Sequence, residues 1–146
     1  MRKTFVIAIL AIAALSAAAQ DSGFLDRISA TAALSCADAA YLVMVGAEKT
    51  NESESPDQAL IDARTMGAAS VSMVGEAPIR MDRFAFMIMK AFELKGGIFY
   101  SLFPSPRYAY RELVSKGVIQ GNVDPADPVD GSMALRMTGR VAETGE

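Results

Sequence analysis

Apolar residues recur at helical spacing through most of the chain, and no period-two alternation long enough for a strand is present. Within "RMDRFAFMIMKAFEL", Phe84, Met87, Ile88, Ala91 and Phe92 fall at three- and four-residue intervals. This predicts an amphipathic helix whose methionine and phenylalanine stripe is core rather than a ligand groove. A second face gathers Ala109, Tyr110, Leu113 and Val114, with Arg107, Arg111, Glu112 and Lys116 directed away from it. "SCADAAYLVMVGAEK" sets Ala40, Tyr41, Leu42 and Met44 where Ala85, Phe86, Met87 and Met89 stand forty-five residues later. Ser35 with Asp38 gives it a capping-box start. "GFLDRISATAAL" before it reads as a degenerate first helix, and "EKTNESESPDQ" as a surface loop.

Backbone punctuation repeats at a shift of fifty residues. "SPDQALIDARTMGAASVSMVGEAP" and "SPRYAYRELVSKGVIQGNVDPADP" align Ser55 with Ser105, Pro56 with Pro106, Ala59 with Ala109, Gly67 with Gly117 and Pro78 with Pro128. Further on, Met87 meets Met137 and Lys90 meets Arg140. Each serine can cap a helix whose first position is the proline, where a missing N–H costs nothing. Each first glycine supplies the left-handed residue that stops it. A crossing then leads to the second proline and a second helix, "RMDRFAFMIMKAFEL" or "DGSMALRMTGRVAE". The pattern predicts an all-α chain of five or six short helices, in two full helix–loop–helix units and a partial N-terminal one. Each pair must bury its apolar face against neighbours, because one pair alone hides too little surface.

The N-terminus changes where this fold is expected to reside. Arg2 and Lys3 precede an apolar run from Phe5 to Leu15, and Ala17-Ala18-Ala19 offers small residues for cleavage. This predicts a secretory signal peptide over 1–19, cut ahead of Gln20-Asp21, because the run is too short to span a bilayer. The alternative is a retained N-terminal anchor. After cleavage no transmembrane segment is expected, and the destination is the periplasm or the cell envelope or surface. The remainder, 20–146, suffices for one domain with a core but not for two. Cys36 is the only cysteine, so no intramolecular disulfide can form, and it reads as a small buried thiol.

Composition removes most chemistry. With no histidine, the commonest general base, the usual zinc ligand and every Ser–His or Cys–His device are missing. No two carboxylates sit in contexts that would oppose their pKa values. No catalytic residue, cofactor or metal is therefore assigned, and the expectation is a protein that is not an enzyme. In "DPADPVDG", Asp124, Asp127 and Asp130 invite a calcium reading, but the ligand positions of an EF-hand fall on Ala126 and Pro128. Asp130 is better read as a helix cap and the others as turn residues.

Charge is uneven along the chain. From Asp21 to Ile79 there are three basic and nine acidic residues; from Arg80 to Lys116 there are seven basic and three acidic. A basic, aromatic middle suits an acidic partner, while a net charge of −3 argues against nucleic acid. Arg80 and Arg83 stand at a helix start, where the macrodipole disfavours cations, which makes them anion-binding candidates. "KGGIFYSLFPSPRY", from Lys95 to Tyr108, allows two readings. The expected one has Ile98, Phe99, Leu102 and Phe103 plugging the core. The other is an exposed aromatic patch for a partner or glycan. Tyr100, Tyr108 and the basic residues beside them are the leading surface candidates in either case.

"RYAYREL", "SKGVIQG", a proline-containing loop and a helix entered after "PI" or "PV" together resemble the S-layer homology domain, whose helix–loop–helix repeats usually come in threes. The likeness covers about Ser35 to Glu143 and is clearest from Pro104 to Arg140. Gly117 keeps the family's helix-closing glycine, and Tyr108 stands where the family often has tryptophan. The resemblance implies a non-catalytic exported module that docks to a cell-envelope polymer, often an acidic glycan. The family's second helix opens with an arginine that contacts the glycan; that position is Cys36, Met81 and Gly131 here, with Arg80 and Arg83 flanking it in the middle copy. The candidate binding residues are Arg80, Arg83, Tyr100, Arg107, Tyr108 and Arg111. The expected partner is an envelope polymer or glycan. The alternative is a small structural subunit that binds an envelope protein, or itself, through "GGIFYSLF".

Overall fold

Serines, prolines and glycines set the helix boundaries. The computed structural model describes residues 23–144, and among them seven helices follow one another: α1 (residues 23–29), α2 (Cys36–Gly46), α3 (Pro56–Thr65), α4 (Met81–Ala91), α5 (Ile98–Leu102), α6 (Pro106–Ser115) and α7 (Gly131–Thr144). Extended pairing among the described residues is confined to isolated bridges, Ser35 with Pro78 and Arg80 with Pro128, so the fold is all-α. No described helix is long and apolar enough to cross a membrane. The expected signal peptide, 1–19, and its expected cleavage after Ala19 lie outside the described residues.

The predicted caps are in place. The Ser55 hydroxyl accepts from the Gln58 N–H at 3.2 Å and that of Ser105 from the Tyr108 N–H at 3.5 Å, with Pro56 and Pro106 opening the helices. Ser35 accepts from the Asp38 N–H at 3.1 Å, but the Asp38 carboxylate is held by Arg27, at 3.1 Å on each oxygen. Asp130 caps α7, accepting from the Met133 N–H at 2.8 Å and the Ser132 hydroxyl at 2.7 Å.

Partial burial alone would raise the Asp130 carboxyl, but the Met133 amide, the Ser132 hydroxyl and the Arg136 charge outweigh it and hold the group below its ordinary value. A depressed folded-state pKa gives stability that is complete above the unfolded value, ~4. That stability is lost as pH falls through the lower folded one. Asp130→Ala is therefore expected to cost about 1 kcal/mol at neutral pH. In denaturant titrations the gap to the parent should shrink only below about pH 4.

Helix ends show what glycine spacing conveyed and what it did not. Gly67 and Gly117 take φ of 74° and 72°, and the following amides reach back to close the helices, Ala68 N–H to Ala63 at 2.8 Å and Val118 N–H to Leu113 at 2.9 Å. α2 and α4 end the same way with glutamate in the left-handed position: Glu48 and Glu93 stand at φ 55° and 53°, with Lys49 N–H to Met44 at 2.8 Å and Leu94 N–H to Met89 at 2.9 Å. α4 therefore stops at Ala91, short of the end of its apolar run.

The helices pack one step out of phase with their order in the sequence. α3 lies on α2 and α6 on α4, while α2 also contacts both α4 and α7. Just ahead of α2, α4 and α7, three buried residues close a ring of backbone hydrogen bonds. Leu34 N–H donates to Val129 C=O at 2.7 Å, Ile79 to Leu34 at 2.8 Å, and Val129 to Ile79 at 3.0 Å. The first helical amides repeat the cycle outward, Cys36 to Ala77 at 2.9 Å, Met81 to Asp127 at 2.9 Å and Gly131 to Thr31 at 2.8 Å. Buried polar backbone is thus satisfied between segments, which fixes the three helix starts against one another. Below the ring, Phe84, Met87, Ile88 and Ala91 are buried as the stripe predicts.

Two packing expectations are overturned. Val114 is 42 % exposed rather than on the buried face, because α6 is short and turns only Ala109 and Leu113 fully inward. Ile98, Phe99, Leu102 and Phe103 do not plug the core. Ile98, Phe99 and Leu102 lie on α5, a helix the spacing of apolar residues did not predict, Phe103 is its C-cap, and all four are exposed.

Candidate functional site

The candidate residues separate into three places. Arg80 precedes α4 and is exposed, but its guanidinium is engaged by Asp82 at 2.8 Å. Arg83, one turn into α4 and half-buried, lines an open cleft of about 330 Å³. The other walls of the cleft come from Gly67–Ser70 after α3, Met73, Phe86 and Pro106. Arg107 and Arg111 stand one turn apart on the exposed side of α6. Tyr108 between them is half-buried and stacks on Phe99, with ring centroids 5.9 Å apart and planes 13° from parallel.

Tyr100 is a correction. It was expected at the surface and is 7 % exposed, because α5 turns it inward while its neighbours face out. Burial, and secondarily the charge of Glu112, push its phenol pKa up, so it is a neutral packing residue rather than a surface contact.

Among the described residues, Arg83 is a candidate arginine that lines an open cleft. No hydrogen bond or ion pair engages its guanidinium there, in contrast to Arg80. A second guanidinium, that of Arg64, lies behind it. Arg64 donates through Nη2 to the Met73 carbonyl, and its buried Nε has no acceptor. Both charges reach the Cys36 thiol. Burial pushes that thiol up, and Arg83 and Arg64 pull it down only in part, so Cys36 stays protonated and unreactive at neutral pH. The cleft offers the free Arg83 cation beside the Phe86 ring, which carries the Lys90 ammonium 5.7 Å from its centroid, and the Ser70 hydroxyl, which is already bonded to Ser72 at 2.9 Å.

Fifty residues on, the matching hollow is smaller, about 210 Å³, and already satisfied. Met133 stands at the Arg83 position. Arg140 donates to the Val118 carbonyl at 2.8 Å and to Gln120 at 3.0 Å, and Arg136 to Ser132 at 3.1 Å. Sequence reasoning found Arg83 but missed Phe86, Ser70 and Arg64. Phe86 was only matched to Tyr41 between the aligned helices and given no site role, and it is half-buried at the cleft wall. The three positions where the resemblance puts the glycan arginine, Cys36, Met81 and Gly131, are all buried. No family model matches the chain, and no curated protein or solved structure is significantly similar to it.

Proposed function

We propose that the chain is an exported, non-catalytic module of S-layer-homology-like helical repeats, which binds an anionic polymer or glycan of the cell envelope. The observation that carries this reading is the uncommitted Arg83 guanidinium at an open cleft beside Phe86 and Ser70. The repeat reading draws support from the paired serine caps, the paired left-handed glycines and the closed ring through Leu34, Ile79 and Val129. The binding site differs from the family pattern. Where the signature arginine would stand the side chains are internal, so the charge is supplied two residues later along α4, at Arg83.

Co-sedimentation with isolated envelope fractions tests this. Binding should survive protease treatment of the fractions and weaken with salt. Arg83→Glu should reduce it by about tenfold or more, while Arg80→Glu, whose parent arginine is already paired, should matter far less. Equal binding by Arg83→Glu and the parent would sink the reading. A second reading, a structural subunit seated on an envelope protein, is favoured by the exposure of Ile98, Phe99, Leu102 and Phe103. Binding lost when the fractions are treated with protease would select it.

A further inference from the structure

α5 carries an apolar face that the described chain leaves largely uncovered, Tyr108 alone stacking on one of its rings. Ile98, Phe99, Leu102 and Phe103 are 75, 66, 65 and 64 % exposed. Ile98, Phe99 and Leu102 stand at i, i+1 and i+4 on one side of α5, and Phe103 follows as its C-cap, also exposed. Tyr100 points the opposite way and is buried, which ties the helix to the body. Gly97 caps one end and Pro104 follows the other, leaving a short apolar knob. Exposed apolar clusters of this kind mark interaction surfaces.

Charge indicates what the surface meets. From Leu94 to Arg111 the chain carries Lys95, Arg107 and Arg111 and no carboxylate. All three are exposed, and none takes part in a salt bridge among the described residues. Glu112, the next acid along the chain, is half-buried behind α5, beside Gly97 and Tyr100. The stack of Tyr108 on Phe99 joins the arginine-bearing helix to the knob. Apolar side chains that can enter an acyl boundary, collared by free cations, are the complement of an anionic lipid surface.

We propose that α5 docks on an anionic phospholipid leaflet. Ile98, Phe99, Leu102 and Phe103 enter the interface, while Lys95, Arg107 and Arg111 meet headgroup phosphates. This surface is distinct from the Arg83 cleft and does not depend on it. A second copy of the chain fits less well. The four side chains expose roughly 500 Å² together, taking ~200 Å² for each whole aromatic side chain, against about 800 Å² per partner in a stable dimer. A two-fold contact would also press like charges together. A leaflet imposes no such minimum, because binding grows with the apolar area inserted.

The chain has no tryptophan, so Phe103→Trp places a single indole on the knob. With vesicles of equimolar phosphatidylglycerol and phosphatidylcholine, its emission is expected to shift to the blue and to be quenched by brominated acyl chains. Binding to pure phosphatidylcholine should be about tenfold weaker or more. Joint Phe99→Ser and Leu102→Ser should cut vesicle binding by about tenfold or more without changing far-UV circular dichroism. Because quenching by brominated acyl chains reads the indole's own contact with lipid, attachment of the chain through an apolar N-terminal segment alone does not reproduce it. An indole that stays solvent-like beside anionic vesicles overturns the proposal, as does equal binding to both lipids. A blue shift that grows with protein concentration in the absence of lipid assigns the knob to a second copy. A shift produced by a purified envelope protein and not by vesicles assigns it to a protein partner.

Discussion

Gly131→Ala is expected to lower the melting temperature by on the order of 10 °C, a loss of about 3 kcal/mol. A Cβ at this position would lie inside the van der Waals shell of the Ile28 carbonyl oxygen and crowd the Ile28 side chain. The contact cannot relax cheaply. Backing residues 28–31 away would break the 2.8 Å bond from Gly131 N–H to Thr31 and draw the fully buried Ile28 out of the core. Gly139→Ala supplies the control in the same helix. No atom lies within 4 Å of its added Cβ, so it should raise stability by about 0.5–1 kcal/mol. Melting curves of the two variants should therefore move in opposite directions. Equal curves would mean that the junction between α1 and α7 is loose. The same geometry bears on function: an arginine restored at 131, where the resemblance would place it, would break the fold before it could meet a ligand.

What was legible in the sequence was whatever a single residue type specifies locally. Ser55, Ser105 and Asp130 announce helix starts because a short oxygen-bearing side chain is what an unsatisfied N–H there needs. Gly67 and Gly117 announce ends because they tolerate a positive φ. Where the same backbone state is held by Glu48 or Glu93, the end was invisible, and α4 was read past Ala91. Long-range structure was legible only in outline. The ring through Leu34, Ile79 and Val129 is made by main-chain groups, which leave no residue signature. The contacts of α3 with α2 and of α6 with α4 pair helices that punctuation assigns to different units.

The candidate site was half legible for a related reason. Arg83 stood out as a cation where the helix dipole disfavours one, and the structure places it at a cleft with its charge unpaired. Phe86 lies three residues after Arg83 on α4, a spacing the sequence does carry, whereas Ser70 comes from the loop after α3, an approach that spacing does not encode. Tyr100 and its neighbours show the converse. Composition flagged the segment, but which side chains turn inward depends on α5 forming at all. A five-residue helix between Gly97 and Pro104 is too short for periodicity to announce.

Phe84→Ala and Phe99→Ala, the same chemical change, are expected to differ by several kcal/mol. Phe84 is fully buried and is the largest side chain wholly inside, on the face of α4 that the other helices cover. Its truncation removes the transfer free energy of the ring and leaves a cavity in the buried core, a cost of about 3–5 kcal/mol. The melting temperature should fall by on the order of 15 °C. Phe99 is 66 % exposed, and its main contact is the stack on Tyr108, so its truncation should stay within about 0.5 kcal/mol of the parent. Urea titrations with unchanged slope would report both directly. A large loss at Phe99 would show that the α5 face is covered in solution, by a second copy or by the unprocessed N-terminal segment. A small loss at Phe84 would mean that α4 is not the centre of the core. With the expected pair of values, Phe84 holds the helices together, while Phe99 contributes little to the fold that displays it.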